Sequence, residues 1–80
     1  MVNIILSNQF KKKIKRLNSF DRKRLEKQIR KILENPEIGK PLKYRRGERA
    51  LYIKPFRIIY AFKGDDLFLL KFGHRKNIYD

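Results

Sequence analysis

The 80-residue sequence contains no cysteine, no tryptophan and a single histidine, His74. Without cysteine the chain forms neither a disulfide framework nor a thiolate metal site, and one histidine argues against structural zinc. The 8 acidic residues are scattered, whereas metal-dependent nucleases need clustered carboxylates. Glycine-rich phosphate loops and the HExxH and GxSxG signatures are also missing. We therefore expect no metal or other cofactor; an enzyme with this composition would work with Lys, Arg, His and Tyr on a phosphate.

Long apolar runs are absent as well. None approaches the roughly 20 residues of a membrane-spanning helix. Val2–Leu6 is too short for the core of a signal peptide, and the lysine cluster follows it instead of preceding it. We expect a cytoplasmic protein without a membrane partner, and a chain of this length predicts one domain over residues 1–80.

Positive charge is the most abundant feature of the composition. The chain has 22 Lys and Arg against 8 Asp and Glu, for a net charge of +14. The excess is spread along the whole chain and is not confined to a tail. Such a distribution is typical of proteins that bind nucleic acid. An acidic protein partner would also balance it, and the two interpretations are compatible.

The first half of the sequence predicts a strand followed by two short amphipathic helices. Val2–Leu6 reads as a buried strand, and Ser7 is suited to cap the first helix. A second apolar stripe at helical spacing begins after Ser19, which we predict as its cap, and stops at Asn35-Pro36. Each helix has one apolar stripe, so both can pack on one face of a sheet.

The second half predicts a three-stranded antiparallel meander. Three runs rich in apolar, β-branched and aromatic residues cover Ala50–Ile53, Phe56–Phe62 and Leu67–Phe72. Pro55 separates the first two runs, and Gly64-Asp65-Asp66 is a turn signal between the last two. The predicted fold is α+β: an N-terminal strand, a helical hairpin and the meander, with the helices on one face.

The predicted register gathers basic residues at one end of this meander. Centring the last hairpin on Gly64-Asp65 places Arg57 opposite Phe72 and Lys54 near Arg75. The end of the sheet away from the Gly64 turn then collects Lys54, Arg57, His74, Arg75, Lys76 and Tyr79. A cationic cluster beside a histidine and a tyrosine suits an anionic ligand.

The connection before the meander is also basic. Lys43, Arg45 and Arg46 surround Tyr44 within residues 36–47. Such a loop can contact phosphates and stack a base on its aromatic ring. Alternatively, Leu42 and Tyr44 pin the loop to the core.

Several short motifs follow one another along nearly the whole chain. They are Asn35-Pro36, Leu42-Lys43 before Gly47, Arg49–Ile53, the run PFRIIY at 55–60, FGHRK at 72–76 and Ile78-Tyr79. Their order and spacing, on the layout strand, helix, helix, meander, resemble the RelE/ParE superfamily of toxins from toxin–antitoxin modules.

The resemblance to the RelE branch implies a ribosome-dependent, metal-independent endoribonuclease. In that chemistry the ribose 2′-OH attacks the adjacent phosphate, which calls for a base, an acid and cations on the phosphorane. Carried over by position, Arg57 and Arg75 match the phosphate-stabilising arginines, and Tyr79 matches the C-terminal catalytic tyrosine. The family's strand lysines fall on Ala50 and Tyr52, or with a gap on Tyr52 and Lys54. We consider His74 a substitute for a missing lysine, because its ordinary pKa of about 6.5 suits proton transfer near neutrality.

Three alternatives stay open on this sequence, one of them a degenerate relative that only binds its antitoxin. Structural roles are available to the same residues: Arg57 paired with Glu48 or Asp80, His74 ending a strand, and Tyr79 as an anchor. The resemblance also extends to ParE-type toxins, which bind and inhibit DNA gyrase without cutting RNA.

The resemblance and the charge together predict a partner. Apolar residues occupy both faces of the predicted strands, and two short helices do not cover both. An edge strand can accept an added strand from another chain. We expect an acidic, RelB-like antitoxin in a hetero-oligomer, with the ribosome and mRNA as the other partners.

Overall fold

The structure is a computed structural model, and it describes residues 2–76. The elements in chain order are β1 (Asn3–Leu6), α1 (Asn8–Lys15), α2 (Ser19–Glu34), β2 (Lys40–Pro41), β3 (Glu48–Ile53), β4 (Phe56–Lys63) and β5 (Asp66–His74). The predicted α+β layout is confirmed, with one short strand, β2, that the sequence did not reveal. No helix among these residues combines the length and apolar character needed to cross a membrane.

The five strands form one sheet in the order β1-β5-β4-β3-β2. The strands β3, β4 and β5 make the predicted antiparallel meander, and β1 runs parallel to β5. Because β1 and β5 are parallel, the chain between them must cross over the sheet. This connection starts with the α1–α2 hairpin and continues through β2, β3 and β4. The prediction of a buried first strand is wrong: β1 lies at an edge, and Ile4 and Ile5 are 47% and 42% exposed.

Polar side chains cap both helices. The Ser7 hydroxyl accepts the Phe10 N–H at 3.0 Å, which confirms the predicted cap of α1. The second predicted cap is wrong by one residue, because Ser19 is already helical. Asn18 is extended, and its side-chain oxygen accepts the Asp21 N–H at 2.8 Å.

The apolar core lies on one side of the sheet. Both helices pack there, and the buried side chains of this cluster are Phe10, Leu25, Ile32, Ile53, Ile58, Tyr60, Leu67, Leu69 and Phe72. Ile59 is also buried, at 3% exposure, but lies outside this cluster. We call this side the helix face. Because side chains alternate along a strand, the neighbours of these residues project from the other side, which we call the open face. It carries Tyr52, Arg57, Ala61 and Phe68.

A β-bulge in β5 sets which residues reach each face. Lys63 pairs with Asp66 around a two-residue turn, and Gly64 has φ +60° as a type II′ turn requires, so the predicted centre of the hairpin is confirmed. Further along, the register shifts and Leu70 is left without a partner in β4. Arg57 consequently pairs with Gly73, and the predicted pairing with Phe72 is wrong. The Ser7 hydroxyl donates to the Leu70 carbonyl at 2.6 Å, which satisfies the bulge.

A buried tyrosine fixes the segment that leads into β2. The Tyr60 hydroxyl donates to the Pro36 carbonyl at 2.7 Å and accepts the Gly39 N–H at 3.0 Å. A Cβ at Gly39 would lie 2.9 Å from Tyr60 and from the Ala50 carbonyl oxygen, so only glycine fits this approach. Burial raises the pKa of Tyr60, while the Gly39 hydrogen bond and the charge of Arg49 lower it in part. Because Tyr60 anchors Pro36 and Gly39, the segment places Lys40 beside β3, where it pairs with Ala50.

Candidate functional site

A cationic cleft lies between β2, the loop that follows it, and the ends of β3, β4 and β5. Its volume is ≈ 450 Å³. It is lined by Ile38, Lys40, Pro41, Leu42, Lys43, Ala50, Leu51, Tyr52, Arg57 and Arg75. Among these described residues four are basic and none is acidic. We call it the arginine cleft, and its charge suits a phosphate group.

Tyr52 is the centre of the arginine cleft. It pairs with Arg57 across the β3–β4 ladder, and the Arg57 guanidinium carbon lies 5.8 Å from the centre of its ring. The guanidinium of Arg75 lies over the same ring at 5.5 Å. Both distances are within the range of a cation–π interaction. One half-exposed ring therefore brings together two permanently charged, forked donors, which can each hold two phosphate oxygens.

Hydrogen bonds hold the tip of the β3–β4 hairpin next to Arg75. The Arg75 N–H donates to the Pro55 carbonyl at 3.0 Å, which confirms that Arg75 lies beside the turn. On the other side, the Arg24 guanidinium of α2 donates to the Lys54 carbonyl at 2.6 Å and pairs with Asp21 at 3.2 Å. The position of Arg75 is thus tied to the helical layer through the hairpin tip.

The basic loop after β2 contributes one of its three predicted cations to the cleft. Lys43 lines the cleft, and its ammonium lies 5.6 Å from the centre of the Tyr44 ring. Arg45 and Arg46 are exposed and lie outside the lining. Tyr44 is 88% exposed, so the alternative that this ring pins the loop to the core is wrong. Leu42 is half-buried and lines the cleft.

The remaining predicted residues lie elsewhere at the same end of the sheet. His74 pairs with Phe56 and belongs to the helix face, so its imidazole does not line the arginine cleft. Lys54 is exposed in the hairpin turn, and Lys76 is exposed after β5; neither lines that cleft. Tyr79 lies outside the described residues.

A second cleft, of ≈ 310 Å³, opens on the helix face at the same strand ends. We call it the aromatic cleft. It is lined by Gln9, Lys13, Arg16, Leu17, Asn18, Asp21, Phe56, Phe72, Gly73 and His74. The side-chain amide of Gln9 makes the two hydrogen bonds that a neighbouring strand would make with Phe72: it donates to the Phe72 carbonyl at 3.2 Å and accepts the Phe72 N–H at 3.1 Å.

Sequence reasoning missed two residues of the arginine cleft. Lys40 stands before a proline in a segment with no strand signal, and it reaches the cleft only through the anchoring of Gly39. The resemblance places Tyr52 where the family has a lysine, and it does not predict the contacts of this ring with Arg57 and Arg75. The alternation of Tyr52 with the core residues Leu51 and Ile53 was the available signal. Among residues 2–76 no group of three or more His, Cys, Asp or Glu side chains could hold a metal ion.

Solved structures of toxin–antitoxin systems share this fold. A chain of the E. coli RelBE toxin–antitoxin complex is 20% identical, with a TM-score of 0.82 over 92% of this chain and 96% of that one. A chain of the RelB–RelE complex of Methanococcus jannaschii is 21% identical, with a TM-score of 0.73 over 90% and 91%. A chain of the E. coli DinJ–YafQ complex is 19% identical, with a TM-score of 0.71 over the full length of both. These TM-scores show that the chain has a RelE-like fold.

The sequence itself identifies the family. Residues 4–79 match the family model described as the ParE toxin of the type II toxin–antitoxin system parDE. The chain therefore belongs to this family of toxins, within the RelE/ParE superfamily. A search of curated proteins finds no match to the sequence.

Proposed function

We propose that this toxin is a ribosome-dependent endoribonuclease that binds mRNA in the arginine cleft and cleaves it without a metal ion. The observation that carries the proposal is the pair of guanidinium groups, Arg57 and Arg75, over the ring of Tyr52. Two forked cations close to one another, in a cleft without an acidic residue among its described lining, suit the extra negative charge of a phosphorane.

The proposed reaction is an internal transesterification. The 2′-oxygen of one ribose bonds to the adjacent phosphorus and loses its proton to a base. The bond from phosphorus to the 5′-oxygen breaks, and that oxygen receives a proton from an acid. The products are a 2′,3′-cyclic phosphate and a 5′-hydroxyl. Arg57 and Arg75 stabilise the phosphorane, and proton transfer falls to Lys40, Lys43 and Tyr79, because His74 opens into the aromatic cleft.

An acidic antitoxin is part of the proposal. The matched folds come from toxin–antitoxin complexes, and the net charge of +14 calls for an acidic partner. The open face offers Ile5, Ala61 and Phe68 as half-buried or exposed apolar surface beside the edge strand β1. An added strand with acidic flanks would cover this surface, in the cytoplasm where ribosomes are found.

Gyrase inhibition is the second candidate, and the observation that favours it is the match to the ParE family model. The two candidates differ in what remains intact. A nuclease shortens the message on translating ribosomes, whereas a gyrase inhibitor leaves the message whole and blocks supercoiling.

The test is to translate one message in a cell-free extract with purified toxin and to map its ends by primer extension. A parallel supercoiling reaction contains gyrase. The nuclease proposal expects cuts within codons by the wild type and by Arg46→Ala, a loop arginine outside the cleft, and far fewer cuts by Arg75→Ala. An uncut message together with blocked supercoiling would replace the proposal with the second candidate.

A further inference from the structure

The aromatic cleft has a floor of stacked rings. Phe72 is 2% exposed and stacks on Phe56 with ring centres 5.1 Å apart and an angle of 30°. His74 stands edge-on to Phe56, at 6.5 Å and 77°. Phe56 is only half-buried, so aromatic surface faces the cleft. Aromatic platforms of this kind stack nucleobases irrespective of sequence.

Basic residues stand at the rim of the aromatic cleft. Lys13 and Arg16, at the end of α1, line it and are exposed to solvent. Asp21 is the one acid among its described lining residues, and its carboxylate pairs with Arg24 at 3.2 Å. The cleft thus joins an aromatic surface to a net positive rim, which matches a nucleobase with a neighbouring phosphate.

The two clefts meet at the strand ends. Phe56 and Arg57 are consecutive in β4 and project from opposite faces, and Gly73 and His74 alternate in the same way in β5. Gly73 faces Arg57 and has no side chain to separate the two sites. Consecutive residues of β4 thus border different clefts, and a nucleotide chain that reaches both passes around this end of the sheet.

We propose that the aromatic cleft is a base-binding subsite for a ribonucleotide next to the phosphate held by Arg57 and Arg75. The base stacks on the exposed ring of His74 with its edge against Phe56, and its phosphate contacts Lys13 and Arg16. The proposal rests on the proposed function in that RNA is the ligand. The rim cations suit a phosphate as well as an acidic side chain of a protein partner, and the aromatic surface beside them favours the nucleotide, because a base can stack on it.

The experiment follows the ring signals of Phe56 and His74 by NMR while the full chain is titrated with adenosine or uridine 5′-monophosphate. Ribose 5-phosphate, which lacks a base, is the control ligand. Both nucleotides should shift both rings, and ribose 5-phosphate should leave the two rings unmoved. His74→Ala should weaken nucleotide binding at least roughly fivefold, since stacking carries the affinity. Lys13→Ala should weaken it by about two- to fivefold, whereas its neighbour Lys12→Ala, outside the lining, should not.

Equal shifts with ribose 5-phosphate, or equal effects of the Lys12 and Lys13 replacements, would overturn the subsite. So would ring shifts produced by an acidic antitoxin peptide and by no nucleotide, because the cleft would then belong to the protein partner. The outcome is independent of nuclease activity. Nucleotide binding without mRNA cleavage would retain the subsite and reject the proposed function, and cleavage without nucleotide binding would do the opposite.

Discussion

The ring of Tyr52 should matter to cleavage, and its hydroxyl should not. Arg57 and Arg75 approach the ring centre to 5.8 and 5.5 Å. Tyr52→Phe keeps the aromatic surface that attracts both guanidinium groups, whereas Tyr52→Ala removes it. We therefore expect the phenylalanine variant to cleave ribosome-bound mRNA close to the wild-type rate and the alanine variant to be slow.

The size of the effect follows from the two contacts. A cation–π interaction at an exposed site contributes about 0.5–1 kcal/mol, and Tyr52 is 44% exposed. Two such contacts total about 1–2 kcal/mol, which corresponds to a rate loss of about 5- to 30-fold if all of it orients the arginines. This loss is smaller than the roughly 10²–10³ expected for removing one stabilising group outright, because both cations remain present.

Single-turnover cleavage on programmed ribosomes measures the rates of the three proteins. Thermal melts of each variant control for the fold, and an unchanged ribosome affinity separates orientation from binding. If Tyr52→Phe loses as much activity as Tyr52→Ala, the hydroxyl acts in the chemistry and the orienting role of the ring is refuted.

Four further outcomes follow from the sequence and the structure. Arg75→Ala should slow single-turnover cleavage by about 10²–10³, and Arg75→Lys should recover only part of it because an ammonium lacks the fork; full activity in a folded alanine variant would remove Arg75 from the site. Tyr60→Phe should lower the free energy of unfolding by about 1–3 kcal/mol, since it leaves the buried Gly39 N–H and Pro36 carbonyl without the hydroxyl. Burial raises the pKa of Tyr60 above its ordinary 10.0, so above about pH 10 the folded chain keeps a proton that the unfolded chain loses. The free energy of unfolding of the wild type should therefore fall as the pH rises above about 10. Urea titrations in which the free energy of unfolding of Tyr60→Phe falls equally with pH would contradict this. Ribosome binding should weaken steeply as salt rises, because Lys and Arg release counterions from the RNA, and an affinity independent of salt would argue against phosphate contacts.

Local signals in the sequence predicted the elements that depend on local chemistry. Ser7 caps α1 because its hydroxyl reaches an unpaired N–H, and Gly64 forms the hairpin turn because the position needs positive φ. The apolar stripes of both helices likewise predicted the helix face. Arg57 and Arg75 come together because the meander predicted from the turns brings their strand ends to one edge.

The β-bulge at Leu70 decides which face of the sheet the residues at the strand ends lie on, and the predicted register did not include it. Without it, Lys71 would pair with Ile58 in the core, whereas the extra residue at Leu70 brings Phe72 there instead. The same shift sends His74 to the helix face, away from Arg57. The spacing of Leu67, Leu69 and Phe72 contained this information, because the third apolar residue comes one position late for strict alternation.

Tertiary contacts account for the other differences. The strand β2 has only two residues, one of them proline, and it exists because Tyr60 anchors Gly39 and β3 offers a free edge. The first strand is apolar yet exposed, since the meander places β5 inside and leaves β1 at the margin of the sheet. Neither the pairing of β2 nor the edge position of β1 can be read from the residues of those two strands alone.

The chemistry of the cut ends tests the central claim most directly. Attack by the 2′-OH leaves a 2′,3′-cyclic phosphate on the upstream fragment and a 5′-hydroxyl on the downstream fragment. Message cleaved on ribosomes by the wild type should therefore accept label from polynucleotide kinase at the downstream end without prior phosphatase treatment, and Arg57→Ala and Arg75→Ala should yield little labelled fragment. A 5′-phosphate on the downstream fragment, or equal labelling by these two variants, would contradict a reaction stabilised by the two arginines over Tyr52.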